Sequence, residues 1–494
     1  MEAEVLAAIT KAQNEQLKQE NEQLKLQIKE FQRLIFGSKS ERFVSCSIPT
    51  DNQVDLFAGE PTKNPEPLSQ QQISYTRNVP SKKKQKPVRS ELPAHLPRVE
   101  EIIEPIRIAP GAKKIGEEIT EVLEYNPANI YVRKIIRPKY ALADNSNVVI
   151  ADLPSLPLPR SNAGASMLAH ISVSKFIDHL PFYRQIQMFK RQKLSISQST
   201  MSDWFSSMCN VTALLYEELK KEVLENTDYL QADESPIGVQ DTHKKGALHN
   251  GYMWLFRNPK NKLVLFNYNK GRSREAPEEI LENFTGTLQT DGYKVYQVLR
   301  TQGEITLMGC MAHARRYFDK AISNDKQRAE YVLEQMQRLY VIERKARDRQ
   351  VNDATKRRYR QLYAKPILEQ LELWMKEASF KVLPKSAIGK AIAYTQNLYP
   401  SLKRYIQDGK YEIDNNNIEN AVRPLALGRK NYLFAGSHQS AQNIAMMYSF
   451  FASCKANEVN PFDWLKDVLN RLPDQKNAGI KQFLPNYWEK QNHK

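Results

Sequence analysis

Apolar positions in residues 1 to about 36 recur at heptad spacing. Leu17, Leu24 and Phe31 take one seam position, and Asn14, Asn21, Ile28 and Ile35 take the other. So narrow a seam, with Gln, Glu and Lys around it, predicts a long helix that pairs with a second copy, and Asn in the seam favours a fixed-register, two-stranded coil. The same stripe also fits an amphipathic helix lying on the rest of the chain. We place this coiled-coil helix and its basic tail at 1–43, with Gly37 ending the helix. From 44 to 90 the periodicity stops, and Pro, Gln, Ser, Asn and Lys dominate, including the run Lys82-Lys83-Lys84-Gln85-Lys86. That composition predicts a flexible basic linker.

Short alternating runs such as Ile130-Tyr131-Val132-Arg133-Lys134-Ile135-Ile136 predict a small β-rich module over 91–150, closed by the Pro-rich stretch 153–159. Helical spacing returns over 160–225. There one helix begins at Phe182-Tyr183-Arg184-Gln185-Ile186, and a second starts near Ser199-Thr200 after the turn Leu194-Ser195-Ile196-Ser197. The pair fits a helix-turn-helix DNA reader and fits an ordinary helical hairpin equally well.

From 227 the period switches to that of strands. Tyr229-Leu230-Gln231-Ala232-Asp233 reads as a short strand ending in an acid. Tyr252-Met253-Trp254-Leu255-Phe256 and Leu263-Val264-Leu265-Phe266-Asn267-Tyr268 read as a hairpin turning at 258–261. A helical stretch near 275–283, a strand at 287–290, a helix, a strand at 305–309 and a helix from about Ala312 complete the pattern. Three strands, helix, strand, helix, strand, helix is the element order of a ribonuclease-H-like fold. We therefore expect a multi-domain α/β (α+β) chain. Its catalytic core would be built from 226–324 and 411–437, interrupted by a helical insertion over 325–410 and followed by a C-terminal helical region over 438–494.

Composition narrows the function. The 494 residues are 41% hydrophobic, enough for real cores, and no apolar run approaches the ~20 residues of a spanning helix. The first residues lack the layout of a signal peptide, so a cytoplasmic protein without membrane contact is expected. Lys and Arg number 72 against 56 Asp and Glu, a net charge of +16 that favours a polyanionic partner such as nucleic acid. The four cysteines (Cys46, Cys209, Cys310 and Cys454) form no C-x-x-C pair and give neither a zinc ribbon nor a disulfide framework.

Asp233 and Asp291 each fall at or near a strand end, and Glu419 lies in a loop entering a helix. Neighbouring strands and a helix packed on them would bring the three together. Such a cluster repels itself unless cations neutralise it, and its hard oxygens suit Mg²⁺ or Mn²⁺ in phosphoryl transfer. Each acid also has a plainer role. Asp233 can end its strand before a Ser235-Pro236 turn, and Asp291-Gly292 can be an ordinary turn. Glu419 can complete a capping box with Asn416 or pair with Arg423.

These stretches resemble the transposases of the insertion-sequence-66 family, bacterial DDE enzymes, over essentially the whole chain. The matching segments are LIFGSKSER, ELPAHLPR, SKFIDHLPFYRQ, LQADESP, LQTDGY, CMAHARRYF, EIDNNNIENAVRPLALGRKNYLFAGS and LPNYW. The resemblance implies Asp233, not Glu234, as first catalytic and metal-binding aspartate, Asp291 as the second and Glu419 as the glutamate. It implies divalent-metal-dependent cleavage at the ends of a mobile element and transfer of the freed 3′-hydroxyl into target DNA. Double-stranded DNA is then the partner, with a homo-oligomer through the coiled coil and accessory proteins of the same element as further expectations. Arg423, Arg429, Lys430, Arg315 and Arg316 are candidate DNA contacts; pairing with Glu412 or Asp414 is the plainer role for the first three. Members of the family usually carry a cysteine-rich zinc module before the helical region. Here 108–116 and 139–144 hold no cysteine, so no structural zinc is expected.

Three other classes compete. A catalytically inactive, transposase-derived DNA-binding protein would need no acids. A metal-dependent nuclease would cut without strand transfer. A glycosidase using paired carboxylates would leave the charge and the coiled coil unexplained.

Overall fold

The computed structural model describes residues 130–133, 139–141, 148–150, 155–159, 161–225, 227–240, 247–297, 305–475 and 479–489. The expected helix over 1–43, the linker over 44–90 and most of the 91–150 module, including the cysteine-free stretch 108–116, lie outside the described residues. The chain divides into two compact units, one spanning Ser47–Leu153 and the other including Pro154–Lys494. In the first, β1 (Lys139–Ala141) pairs antiparallel with β2 (Val148–Ile150), Lys139 opposite Ile150.

A five-stranded mixed sheet centres the second unit, in the order β5-β4-β3-β6-β7. Strands β3 (Tyr229–Gln240), β4 (Leu248–Asn258) and β5 (Leu263–Asn269) are antiparallel neighbours; β6 (Gly286–Gln289) runs parallel to β3, and β7 (Ile305–Met308) parallel to β6. The runs Met253-Trp254-Leu255-Phe256 and Leu263-Val264-Leu265-Phe266 are buried on both faces. Continuous apolar runs of this kind mark strands with layers on either side.

Strand β3 is longer than the sequence pattern predicts. It runs through Ser235-Pro236 to Gln240 and so does not end at Asp233. Proline in a strand forfeits an N–H, which matters only on a paired side. The Pro236 carbonyl oxygen points away from β4 and accepts from Arg429 (2.5 Å). The missing N–H lies on that same side, past the end of β6, where no ladder bond is lost.

Helices α1 (Ala165–Phe176), α2 (Phe182–Arg191), α3 (Gln198–Val211) and α4 (Ala213–Leu224) precede the sheet. Helix α3 starts at Gln198, slightly before the expected Ser199-Thr200, and the Ser197 side chain caps it by accepting from the Thr200 N–H (3.0 Å). Short α5 (Glu275–Ile280) links β5 to β6, and α6 (Met311–Ala321) follows β7. The stretch expected to be helical does form α7 (Lys326–Asp348), α8 (Asp353–Tyr359), a π-turn at Arg360–Ala364, α9 (Lys365–Ser379) and α10 (Ala387–Leu402). Last come α11 (Asn416–Tyr432), α12 (His438–Ala456) and α13 (Pro461–Arg471).

The core falls into two clusters. One joins the sheet to the N-terminal helices and to α12 and α13, through Phe176, Phe205, Phe266, Tyr448, Phe450 and Trp464. The other gathers α6–α10 through Met311, Phe318, Met336, Leu368 and Leu371, with Tyr229 of β3 and Met308 of β7 joining it. Each fully buried side chain of this kind contributes about 1.5–3 kcal/mol. Helix α12 also closes the sheet's β5 edge. Ser449 and Ser453, one turn apart, accept from the N–H groups of Phe266 (2.8 Å) and Val264 (2.9 Å). An edge strand left open would present those donors to another chain.

Candidate active site

Because β6 pairs with β3 only along Tyr229–Gln231, the rest of that side of β3 needs other partners. The segment around α11 supplies them. Asn415 Nδ2 donates to the Ala232 carbonyl (3.0 Å), Arg429 to Ser235 Oγ (3.1 Å) and to Pro236 O, and Ala435 exchanges bonds with Gly238 and Gln240. Asp233 thus sits where β6 gives way to α11. Asp291 lies two residues past the end of β6, and Glu419 lies in the first turn of α11, its N–H bonded to the Asn415 carbonyl (3.1 Å). Asp291 and Glu419, distant in sequence, both lie near enough to Asp233 for their charges to raise its pKa.

A buried polar network fixes the segment that carries Glu419. Gln231 Nε2 donates to Gln289 Oε1 (2.9 Å), to Glu412 Oε2 (3.1 Å) and to the Asp414 carbonyl (3.2 Å). Gln289 returns a bond to the Glu412 carbonyl (2.9 Å), and Arg257 reaches both Gln231 (2.8 Å) and Glu412 (3.3 Å). Farther out, Arg360 is fully buried and spends its donors on Glu343 (2.8 and 2.7 Å) and on the carbonyls of Tyr405, Asp408 and Tyr411. That clamp holds the approach to Glu412.

Asp291 is held by its own turn. Its Oδ1 accepts from the Tyr293 N–H (2.8 Å), and Tyr394 on α10 donates to its carbonyl (2.7 Å). Gly292 has φ +90°, and a Cβ there would also press on Leu398. The turn therefore requires glycine.

Burial first, then the neighbouring carboxylates of Glu234, Asp291 and Glu419, push Asp233 from 3.8 up to about 8, while its bond from the Glu234 N–H works the other way. A cation-free site accordingly holds a proton at neutral pH. Glu234 is occupied elsewhere. Its buried carboxylate pairs with Arg272 (2.5 Å) and accepts from Tyr296 (3.3 Å), and Arg272 lies over the Tyr293 ring at 4.0 Å.

Glu419 contacts Arg316, not Arg423 or Asn416. Arg316 also donates to His313 Nε2 (3.0 Å). A guanidinium only donates, so Nε2 accepts and the ring proton sits on Nδ1, 3.6 Å from Glu419 Oε1. That oxygen is buried without a hydrogen-bond partner. Ligand atoms of Cys310, His313 and Glu419 all lie within 4.8 Å of one another. Burial raises the Cys310 thiol pKa and outweighs the bond it accepts from the Asn415 N–H (3.2 Å), so the sulfur is a neutral thiol.

The basic candidates separate. Arg423 and Lys430 are exposed on α11, whereas Arg429 is tied to β3. Arg315 is only 8% exposed, so it presents no surface to a phosphate, and Arg316 is engaged by Glu419 and His313. The plainer pairings of the α11 cations also differ from expectation, since Glu412 pairs with Arg257 and Asp414 accepts from Asn416 (3.0 Å). Sequence reasoning missed the Glu234–Arg272 pair and the Gln231–Gln289–Glu412 network. Reading β3 as one long alternating strand, with 231, 233 and 235 on one face, is the signal that finds the network.

The chain also matches known sequences. Residues 160–443 match the model of the Transposase IS66 family, 449–486 match the IS66 C-terminal element, and 23–100 match an element described as transposase C of IS166 homeodomain. Among curated relatives, the uncharacterized protein y4jD of Sinorhizobium fredii is 31% identical over 96% of this chain and 98% of its own length. The uncharacterized protein y4qI of the same organism is 32% identical over 94% of this chain and 88% of its own. Among the described residues no helix is long and apolar enough to cross a membrane.

Proposed function

This chain belongs to the IS66 family of transposases, and from that premise we propose that it cuts DNA at the ends of a mobile element and joins them to target DNA, with divalent metal bound by Asp233, Asp291 and Glu419. The observation that supports the reading is that Asp291 and Glu419 both act on the charge of Asp233, at the level where β6 ends and Asn415 takes its place beside β3. We assign the sheet and its helices to a ribonuclease-H-like catalytic core, interrupted by the α7–α10 helices, on the strength of the strand order and directions.

The residues fit a hard divalent cation. The donors are carboxylates, one of them retains a proton because it is buried and lies beside like charges, and Glu419 presents a buried oxygen without a hydrogen-bond partner. Bound Mg²⁺ or Mn²⁺ would supply charge stabilisation for the attacking and leaving oxygens of a phosphodiester. The protein's own part is positional. The Gln231 network and Asn415 fix the segment bearing Glu419, Tyr394 and Gly292 hold the Asp291 turn, and Asp233 releases its proton as cation charge arrives. Arg316 gives Glu419 a counter-charge until then. Exposed Arg423 and Lys430 flank the site and suit the DNA backbone, and the α2–α3 pair is the candidate reader of element ends. A cytoplasmic, self-associating protein working with accessory proteins of its element completes the proposal.

A second reading has one observation behind it. The ion pair between Arg316 and Glu419 would also suit a DNA-binding protein whose catalysis has lapsed. Incubating the full chain with duplex carrying its element's ends and Mg²⁺ decides between them. The transposase reading expects nicking and joined products that vanish in Asp233→Asn while DNA binding persists. Binding without any cleavage by the unaltered chain would leave the second reading standing.

A further inference from the structure

The turn between α9 and α10 presents apolar side chains to solvent on a firmly held backbone. Phe380 is 90% exposed, Leu383 76% and Leu373 63%. Leu373 and Phe380 lie two helical turns apart and so share one face of α9 and its end. Such display in a frayed loop would mean little, but this loop is pinned. Ser386 donates to the Leu383 carbonyl (2.6 Å) and accepts from the Gly389 N–H (3.1 Å), while Asn324 Oδ1 accepts from the Ile388 N–H (3.2 Å). Gly389 packs so closely that a Cβ there would lie 2.2 Å from the Leu383 oxygen.

Lysines surround the apolar tip. Lys376, Lys381, Lys385 and Lys390 are exposed, and among the described residues no carboxylate forms an ion pair with the last three. Glu377 is the exposed acid nearest in sequence. From the tip, α10 leads directly to Tyr394, whose ring stacks on Tyr317 (4.1 Å) and whose hydroxyl bonds Asp291. Eight residues of helix separate Ser386 from Tyr394, a rise of about 12 Å, close to the width of one major groove or three to four base-pair steps.

We infer that this tip is a duplex-DNA contact, with Phe380 and Leu383 as an apolar wedge and Lys381 and Lys385 on the flanking phosphates, a few base pairs from the phosphodiester at the acid site. The inference rests on the DNA-acting reading above. Exposed apolar side chains set among cations are the pattern by which proteins enter and kink a duplex. A second copy of this chain is the poorer occupant, because a symmetric contact would set lysines against lysines.

The test uses the full chain and a fluorescein-labelled mixed-sequence duplex of about 30 base pairs, titrated at several salt concentrations. Phe380→Ala should weaken binding about fivefold or more, a typical loss for one aromatic contact to a base. Lys381→Ala with Lys385→Ala should lower the salt slope by about 1.8. Both sets of side chains are exposed, so melting temperatures should not move. Unchanged binding in both variants, with metal-dependent cleavage intact, overturns the tip and leaves the transposase reading standing. Weakened binding in a chain that never cleaves keeps the tip and removes the transposase reading. No duplex binding by the unaltered chain removes both. A loss of self-association in Phe380→Ala, seen by sedimentation without change in DNA binding, assigns the tip to a second copy and overturns the inference.

Discussion

Arg316 and Glu419, on different helices and distant in sequence, are in ion-pair contact at the centre of the candidate site. The contact gives the glutamate a counter-charge before any cation arrives, so it should compete with metal. Arg316→Gln is expected to tighten Mn²⁺ binding by about three- to tenfold, while costing about 1 kcal/mol or less in stability because the pair is partly exposed. Calorimetric titration of both proteins checks this. Equal affinities would show that the pair does not oppose the metal.

Asp233 carries the pH dependence. Its folded pKa, about 8, lies above the ordinary 3.8, so the folded chain binds the extra proton between those values. The stability this group contributes is full below about pH 4 and is lost as pH rises through about 8. Asp233→Asn should therefore melt higher than the parent without metal, by a margin that grows from pH 5 to 8 and then levels off. Added Mg²⁺ should raise the parent's melting temperature more than the variant's. A margin independent of pH would contradict the assignment.

Arg360 and Glu343 form a buried pair, and removing the arginine leaves Glu343 with only the more distant Lys356 (3.8 Å). Arg360→Met should cost about 3–5 kcal/mol, measured by urea unfolding, and the same change combined with Glu343→Gln should cost less than the single change. The clamp on Tyr405, Asp408 and Tyr411 would be lost in both.

Ser449 and Ser453 seal the β5 edge. Replacing either with alanine strands a buried backbone N–H, at a cost of about 1–3 kcal/mol each. Hydrogen exchange at Phe266 and Val264 should accelerate first, and aggregation on heating should increase. Unaltered exchange at those two amides would show that water or the helix backbone already serves them.

Much of the fold was legible because β4, β5 and the helices obey simple periodicities. The apolar runs 253–256 and 263–266, set about a turn at 258–261, read as a buried hairpin, whereas Ser197 reads as part of a turn and proves to cap α3. The full extent of β3 was not legible. Ser235-Pro236 looks like a stop, and only the tertiary partner Arg429 shows that the proline's missing donor faces an unpaired side. Residue type and position made the three acids candidates, and the family resemblance chose Asp233 over Glu234, but nothing pointed to their companions. Arg316, Arg272, Gln231 and Gln289 act through contacts between segments far apart in sequence, and no local pattern encodes such pairings. Arg315 and Arg316 illustrate the limit: adjacent cations on α6, one turned into the core and the other onto Glu419.

The central claim is that Asp233, Asp291 and Glu419 share divalent cations. Electron paramagnetic resonance titration of Mn²⁺ into the full chain, and into Asp233→Asn, Asp291→Asn and Glu419→Gln separately, tests it most directly. The account predicts saturable binding by the parent, displaced by Mg²⁺, and weakened about tenfold or more by each substitution, since each removes one charged ligand. Binding that survives all three substitutions, or a parent chain that takes up no Mn²⁺, would contradict it.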